Sequence, residues 1–168
     1  MTRGFGRIVF TTSAAVYGAQ GNMAYAAAKA GIVGLMRCLA VEGRPHDIAV
    51  NAIAPSASTR MTDRFLTDDY GRWFHQEMSP EKAAVAAAYL VHEDCGINGE
   101  ILALGGGRIA RIALAESEGA FGACGSIEEV AAAIPEVMAQ QPFFYSADLT
   151  ERSSTVARLF ASAPRPGN

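Results

Sequence analysis

Two short apolar runs rich in β-branched residues, Arg7-Ile8-Val9-Phe10-Thr11-Thr12 and Ile48-Ala49-Val50-Asn51-Ala52-Ile53-Ala54, flank a different kind of stretch. From about Met23 to Val41 the residues are largely Ala, Leu, Met, Lys and Arg, with Ile32, Leu35 and Leu39 at helical spacing. The outer runs read as strands buried on both faces, and the middle as a helix ended by Gly43 and Pro45. Strand, helix, strand within about fifty residues is a βαβ unit, which requires a parallel pair joined by a crossover. No other pattern in the chain restricts its topology as much, and the fold class that follows is α/β.

The rest of the first hundred residues extends this unit. Ser79-Pro80-Glu81-Lys82 places Ser79 as an N-cap and Pro80 at the first position of a helix expected to reach His92. Asn98-Gly99 turns the chain into a third strand, Glu100 to Leu104, closed by Gly105-Gly106-Gly107, while the acidic and aromatic stretch Asp63 to Glu77 gives no assignment. Residues 1–107 are thus expected to form about three parallel strands with crossover helices, and residues 108–168 a C-terminal extension. In the extension, Arg108 to Leu114 alternates and is expected to extend the sheet. Ser126-Ile127-Glu128-Glu129 is a capping box opening a helix to about Gln140, kinked at Pro135. A final amphipathic helix is expected from Ser146 to Ala161, followed by a frayed tail, Pro164 to Asn168.

Composition narrows the function. The chain has 168 residues, half of them hydrophobic, enough for one core, and its net charge of -3 argues against nucleic acid and anionic membrane surfaces as partners. Cys38, Cys95 and Cys124 are odd in number and far apart, and His46, His75 and His92 are scattered, so neither disulfides nor a metal site is expected. There is no unbroken apolar run of about 18 residues and no basic-then-apolar leader, which points to a soluble, cytoplasmic protein.

The chemistry concentrates in one stretch. Thr11, Thr12 and Ser13 place hydroxyls just past the first strand, and Tyr25 and Lys29 lie four residues apart on the following helix, hence on one face. A free phenol titrates near 10, and lowering that by two or three units takes about 3 to 4 kcal/mol. An ammonium about 4 Å away at an effective dielectric near 20 supplies about that much. Both parallel strands also end on the same carboxyl edge, where open α/β sheets bind ligands, so Ser13 and the segment Pro55 to Thr62 converge there.

Three blocks carry a resemblance. Gly6 to Ser13, then Tyr25-Ala26-Ala27-Ala28-Lys29-Ala30-Gly31-Ile32-Val33-Gly34-Leu35, then Val50-Asn51-Ala52-Ile53-Ala54-Pro55 match in order and spacing the C-terminal half of the short-chain dehydrogenase/reductase (SDR) family. The resemblance covers roughly Gly4 to Gly107 and implies a partial Rossmann-like, doubly wound parallel sheet with a helical C-terminal tail. It also implies an oxidoreductase that transfers hydride between NAD or NADP and a small-molecule secondary alcohol or ketone. By the same resemblance Tyr25 is the acid/base, Lys29 its partner and the ribose ligand, Ser13 the orienting hydroxyl, and Pro55 and Thr59 meet the nicotinamide. More loosely, Glu42-Gly43, Ser58-Thr59-Arg60-Met61-Thr62 and His92-Glu93-Asp94-Cys95 resemble 3-hydroxyacyl-CoA dehydrogenase units of peroxisomal-type multifunctional enzymes.

Three departures qualify it. The family's serine usually stands thirteen positions before the tyrosine, whereas Ser13 is twelve before Tyr25 and Thr12 is thirteen, so either hydroxyl can face the substrate, with Ser13 preferred. Ser56 replaces the usual glycine after the proline. The Gly-rich dinucleotide turn is absent, and Gly105-Gly106-Gly107 cannot replace it because it follows the last strand. A truncated chain that is by itself inactive or nearly so is therefore expected, with Met1 to Gly6 resembling the tail of a helix and an internal start. Two other readings stand beside it: a non-catalytic fragment or interaction module, and a homo-oligomer or complementing chain that associates through Ala24, Ala28, Gly31 and Gly34.

Overall fold

The computed structural model describes residues 4–63 and 67–163. The expected tail Pro164 to Asn168 lies outside these residues, as do residues 1–3 of the opening and 64–66 of the acidic stretch. The elements are β1 (Gly6–Thr11), α1 (Met23–Gly43), β2 (Ile48–Pro55), α2 (Asp69–Glu77), α3 (Pro80–Leu90), β3 (Ile101–Gly105), β4 (Arg108–Ile112), α4 (Ile127–Ala139) and α5 (Leu149–Ser162). Short 3₁₀ turns at Ala14–Tyr17 and Arg44–His46 follow β1 and α1.

The architecture is α/β, with one four-stranded mixed sheet in the order β1-β2-β3-β4. The first three strands are parallel, with Thr11 opposite Ile53 and Ala52 opposite Ile101. The fourth is antiparallel to β3 and pairs Leu104 with Ile109. Its direction follows from the turn between them, where Gly106 and Gly107 both have positive φ (58° and 84°), the conformation of a two-residue hairpin.

Alternation along the strands sends successive side chains to opposite faces. On one face Val50, Ala52 and Ile101 pack with Met36 and Ala40 of α1. On the other, Leu102 lines a cleft with Lys82, Val85, Ala86 and Tyr89 of α3. The two helices therefore cover opposite faces. Gly43 is required where α1 passes over Ile48, because an added Cβ would lie 2.7 Å from the Ile48 carbonyl oxygen.

Two buried or half-buried amides lock the sheet. Asn51 donates to the Ile97 carbonyl at 2.9 Å and accepts from the Glu100 N–H at 3.0 Å. Asn98 donates to the Ala40 carbonyl and accepts from the Val50 N–H, both at 2.8 Å. On the outer side of β1 no strand pairs among the described residues, so β1 is an edge.

Some expectations need correction. Counted as a helix instead of an unbroken apolar run, Met23–His46 does have the length and mean hydropathy (1.4) of a membrane span; in this fold it packs on the sheet through Met36 and Ala40. The unassigned stretch holds α2, capped by Asp68, whose side chain accepts from the Gly71 N–H. Ser79 stands at the N-cap of α3 and Pro80 at its first position, as expected, but without a side-chain cap bond. Its hydroxyl instead goes to Glu81, whose carboxyl is held below its ordinary range by its own backbone N–H and by that hydroxyl. The last helix starts at Leu149 and not at Ser146, because Asp148 caps it by accepting from the Glu151 N–H.

The chain forms two compact units, Met1–Ile112 and Ala113–Asn168. The second contains α4, α5 and a bridge between Glu116 and Phe144. Phe121 and Phe160 meet edge to face at 5.0 Å, Gln140 holds the backbone of Gly119 from both sides, and Arg152 grips Glu116 through two hydrogen bonds of 2.9 and 2.6 Å.

Candidate active site

The carboxyl ends of β1 and β2 set the frame. Thr12 leaves β1 still hydrogen-bonded to β2, its N–H donating to the Ile53 carbonyl at 2.8 Å. Ser13 then caps the 3₁₀ turn Ala14–Tyr17, its Oγ accepting from the Ala15 N–H at 3.1 Å. A loop through Gly18 and Gly21, both at positive φ, returns the chain to the start of α1, which carries Tyr25 in its first turn and Lys29 one turn later.

Lys29 is tied to β1 at both ends of the residue. Its Nζ donates to the Thr11 carbonyl at 2.8 Å, and its own carbonyl accepts the Thr12 hydroxyl at 2.7 Å. The same ammonium lies 5.7 Å from the centre of the Tyr25 ring, within cation–π range. Tyr25 is 49% exposed, and its hydroxyl makes no hydrogen bond to a described residue. The arrangement offers solvent a phenol beside a fixed positive charge.

The two neighbouring hydroxyls have different uses. Thr12 is 2% exposed and its single hydroxyl hydrogen goes to the Lys29 carbonyl, so it fastens helix to strand. Ser13 is half-buried and only accepts, which leaves its hydrogen to offer to a substrate oxygen. Spacing alone cannot make that distinction, because it depends on which hydroxyl faces the helix.

Pro55 ends β2 on the same edge, and Thr59 follows in an exposed turn. That turn is closed on itself: the Thr62 N–H and hydroxyl both donate to the Thr59 carbonyl (2.8 and 2.7 Å), and the Thr59 N–H donates to Thr62 Oγ1 at 2.8 Å. No described hydrogen bond joins Pro55 or Thr59 to Tyr25 or Lys29; the strand register is what puts them on one edge. Sequence reasoning missed a further contact here, Ser58 Oγ to His75 Nδ1 at 2.7 Å, which spans seventeen residues and follows no spacing rule.

A nicotinamide dinucleotide would find only part of its needs among these groups. Lys29, Tyr25, Pro55 and Thr59 are the groups on this edge that could hold the nicotinamide and its ribose. A pyrophosphate needs a Gly-rich turn opening a helix after a strand, and among the described residues no strand is followed by one: Gly105-Gly106-Gly107 leads into β4. Among the same residues no cluster of His, Cys, Asp or Glu could hold a metal ion.

Residues 1–108 match the family model described as enoyl-(acyl carrier protein) reductase. A short-chain type dehydrogenase/reductase of Mycobacterium tuberculosis is 39% identical over 135 residues, which cover 79% of this chain and 46% of that protein. Among solved structures, full-length peroxisomal multifunctional enzyme type 2 from Drosophila melanogaster superposes with a TM-score of 0.76 at 25% identity, over 94% of this chain and 29% of that one. The 3-hydroxyacyl-CoA dehydrogenase type-2 from Mycobacterium avium does so with a TM-score of 0.51 at 34% identity, over 64% and 45%. The chain spans less than half the length of each of these proteins.

Proposed function

The chain belongs to the short-chain dehydrogenase/reductase family, and from that premise we propose that it carries the proton-transfer half of an NAD(P)-dependent oxidoreductase site for secondary alcohols or ketones. The observation that carries the reading is Lys29, held at both ends on the carboxyl edge with the Tyr25 ring beside its ammonium.

In this reading Ser13 donates to the substrate oxygen and fixes its position. In the oxidising direction the alcohol proton passes to the Tyr25 oxygen while the carbinol hydrogen leaves with its electron pair; in the reducing direction Tyr25 returns the proton to the alkoxide as it forms. Lys29, its ammonium beside the Tyr25 ring, would hold the nicotinamide ribose, and Pro55 and Thr59 would bound the nicotinamide. Bound NAD(P) supplies or takes the hydride. The kinship with a 3-hydroxyacyl-CoA dehydrogenase supports 3-hydroxyacyl-CoA as the first substrate to try.

The 168 residues alone are proposed to turn over weakly, because without a pyrophosphate cradle most of the binding energy that would align the hydride donor is missing. The test is NAD(P)H absorbance with a panel of secondary alcohols and ketones that includes 3-hydroxyacyl-CoA. Slow turnover abolished by Tyr25→Phe supports the reading, fast turnover overturns the weak-activity proposal, and turnover untouched by Tyr25→Phe overturns the acid/base role.

One observation favours a second reading, association. Ala24, Ala28, Gly31 and Gly34 of α1 are exposed, and a Cβ added at either glycine would meet nothing within 4 Å. That face is open to a second copy or a complementing chain in a soluble, cytoplasmic assembly. Light scattering on the purified chain tests it, and a monodisperse monomer would count against it.

A further inference from the structure

The turn that presents Thr59 is held from outside by a side chain of α2. His75, on α2, lies between the two shoulders of that turn: its Nδ1 is 2.7 Å from Ser58 Oγ before it and 3.7 Å from Asp63 Oδ1 after it. Backbone contacts converge on the same place. The Ser56 N–H donates to the Leu104 carbonyl and the Ser58 N–H to the Met78 carbonyl, both at 2.6 Å. Gly105 is pressed so closely on this segment that a Cβ would lie 2.8 Å from the Ser56 carbonyl oxygen and 3.0 Å from the Met78 sulfur. The hydrogen bonds inside the Thr59–Thr62 turn fix its shape but not its place; among the described residues, the groups at its shoulders do that.

A serine, a histidine and an aspartate meeting in a loop invite comparison with a nucleophilic relay, and the geometry rejects it. Both oxygens approach the same nitrogen, so no ring bridges them as a relay requires. What the arrangement does is anchor. The imidazole is half-buried, steadied by Phe74, whose ring meets it edge to face at 6.3 Å, and it sits near the end of a helix whose N-terminus is capped by Asp68. A hydrogen bond made from such a base ties the exposed turn to the helix.

We propose that His75 is a positioning residue which, through its hydrogen bond with Ser58, pins the turn carrying Thr59 to α2 and so fixes where Thr59 meets the nicotinamide. The second half of that statement rests on the dehydrogenase reading above; the first does not.

The test is amide hydrogen exchange followed by NMR on the 168-residue chain, with Val50 and Ala52 in β2 as internal references. Ser58→Ala and His75→Phe, which keeps a ring against Phe74, should each speed exchange at Ser58, Thr62 and Asp63 about tenfold relative to β2. The double variant should do no more than either alone, and His75→Asn, whose side-chain amide reaches the position of Nδ1, should restore most of the protection. Unchanged exchange in His75→Phe, or additive effects in the double variant, overturns the pin.

Titration with NADH then reads the role in the reaction. The Thr59 amide should shift in the wild type and require severalfold more NADH in His75→Phe, and equal requirements overturn the positioning role. A flat wild-type titration overturns the dehydrogenase reading at this turn, while the exchange result, obtained without cofactor, still decides the pin.

Discussion

The two units of this chain hold themselves together by different means. Among the described residues, every buried hydrophobic one, Met36, Ala40, Val50, Leu90, Ile101 and Leu104 included, lies in residues 4–112, where helices close both faces of a sheet. Residues 113–163 contain no buried residue: Ile127 is 84% exposed and Met138 78%, and the unit relies on caps, the Phe121–Phe160 pair and the Arg152–Glu116 bridge. The first unit draws its stability from area removed from water; the second draws its order from directional contacts that water and salt reach. The groups with acid/base potential all stand on the first kind of support.

Truncation gives the sharpest contrast. Met36→Ala should cost about 2 to 5 kcal/mol, since it leaves a cavity between α1 and the sheet, whereas Ile134→Ala in α4 should stay within about 0.5 kcal/mol as a surface change. Urea unfolding followed by circular dichroism measures both, and equal losses would break the comparison. Next in size is Gly43→Ala. The 2.7 Å approach of its Cβ to the Ile48 carbonyl oxygen must be relieved, at a cost of about 1 to 3 kcal/mol, read as a lower denaturation midpoint.

In the second unit the caps should matter more than the apolar side chains. Ser126→Ala and Asp148→Ala each remove the oxygen that accepts from the third residue of α4 or α5. Each should cost about 1 kcal/mol of local stability, seen as faster exchange in that helix with β1 to β3 unaffected; spread of the loss into the sheet would blur the distinction. The smallest effect concerns pH. The Arg152 guanidinium, hydrogen-bonded to Glu116, holds that carboxyl below its ordinary range. A carboxyl lowered in the folded state binds protons more weakly there than when unfolded, so its contribution is present above the ordinary carboxylate range and is lost as pH falls through the folded value. Protection of α5 should therefore weaken on acidification, and Glu116→Gln should remove that dependence. A pH response unchanged in Glu116→Gln would assign it elsewhere.

How much of this the sequence reveals depends on the range of the forces involved. The βαβ unit was legible because β1, α1 and β2 are uniform over many residues, and the cap of α4 because Ser126 and Glu129 lie within one turn. The helix α2 was not legible: its nine residues combine Gly71 with three adjacent aromatic or imidazole rings, and Asp68 was the only signal for its start. Alternation in Arg108–Ile112 gave a strand but not its direction, although two successive glycines before it are the usual mark of a hairpin. The roles of Thr12 and His75 were out of reach, since each is decided by a partner seventeen residues away across a packed boundary.

The outer side of β1, unpaired among the described residues, has one more consequence. Any strand that joins it meets a ladder whose rungs repeat every two residues, about 6.6 Å, and a slip of one residue turns the newcomer's faces over. The spacing between that strand's side chains and Ser13 is then set in whole rungs. Assembly at this edge is quantised: it brings a residue into reach of the phenol or sets it a full step away, and no graded intermediate exists.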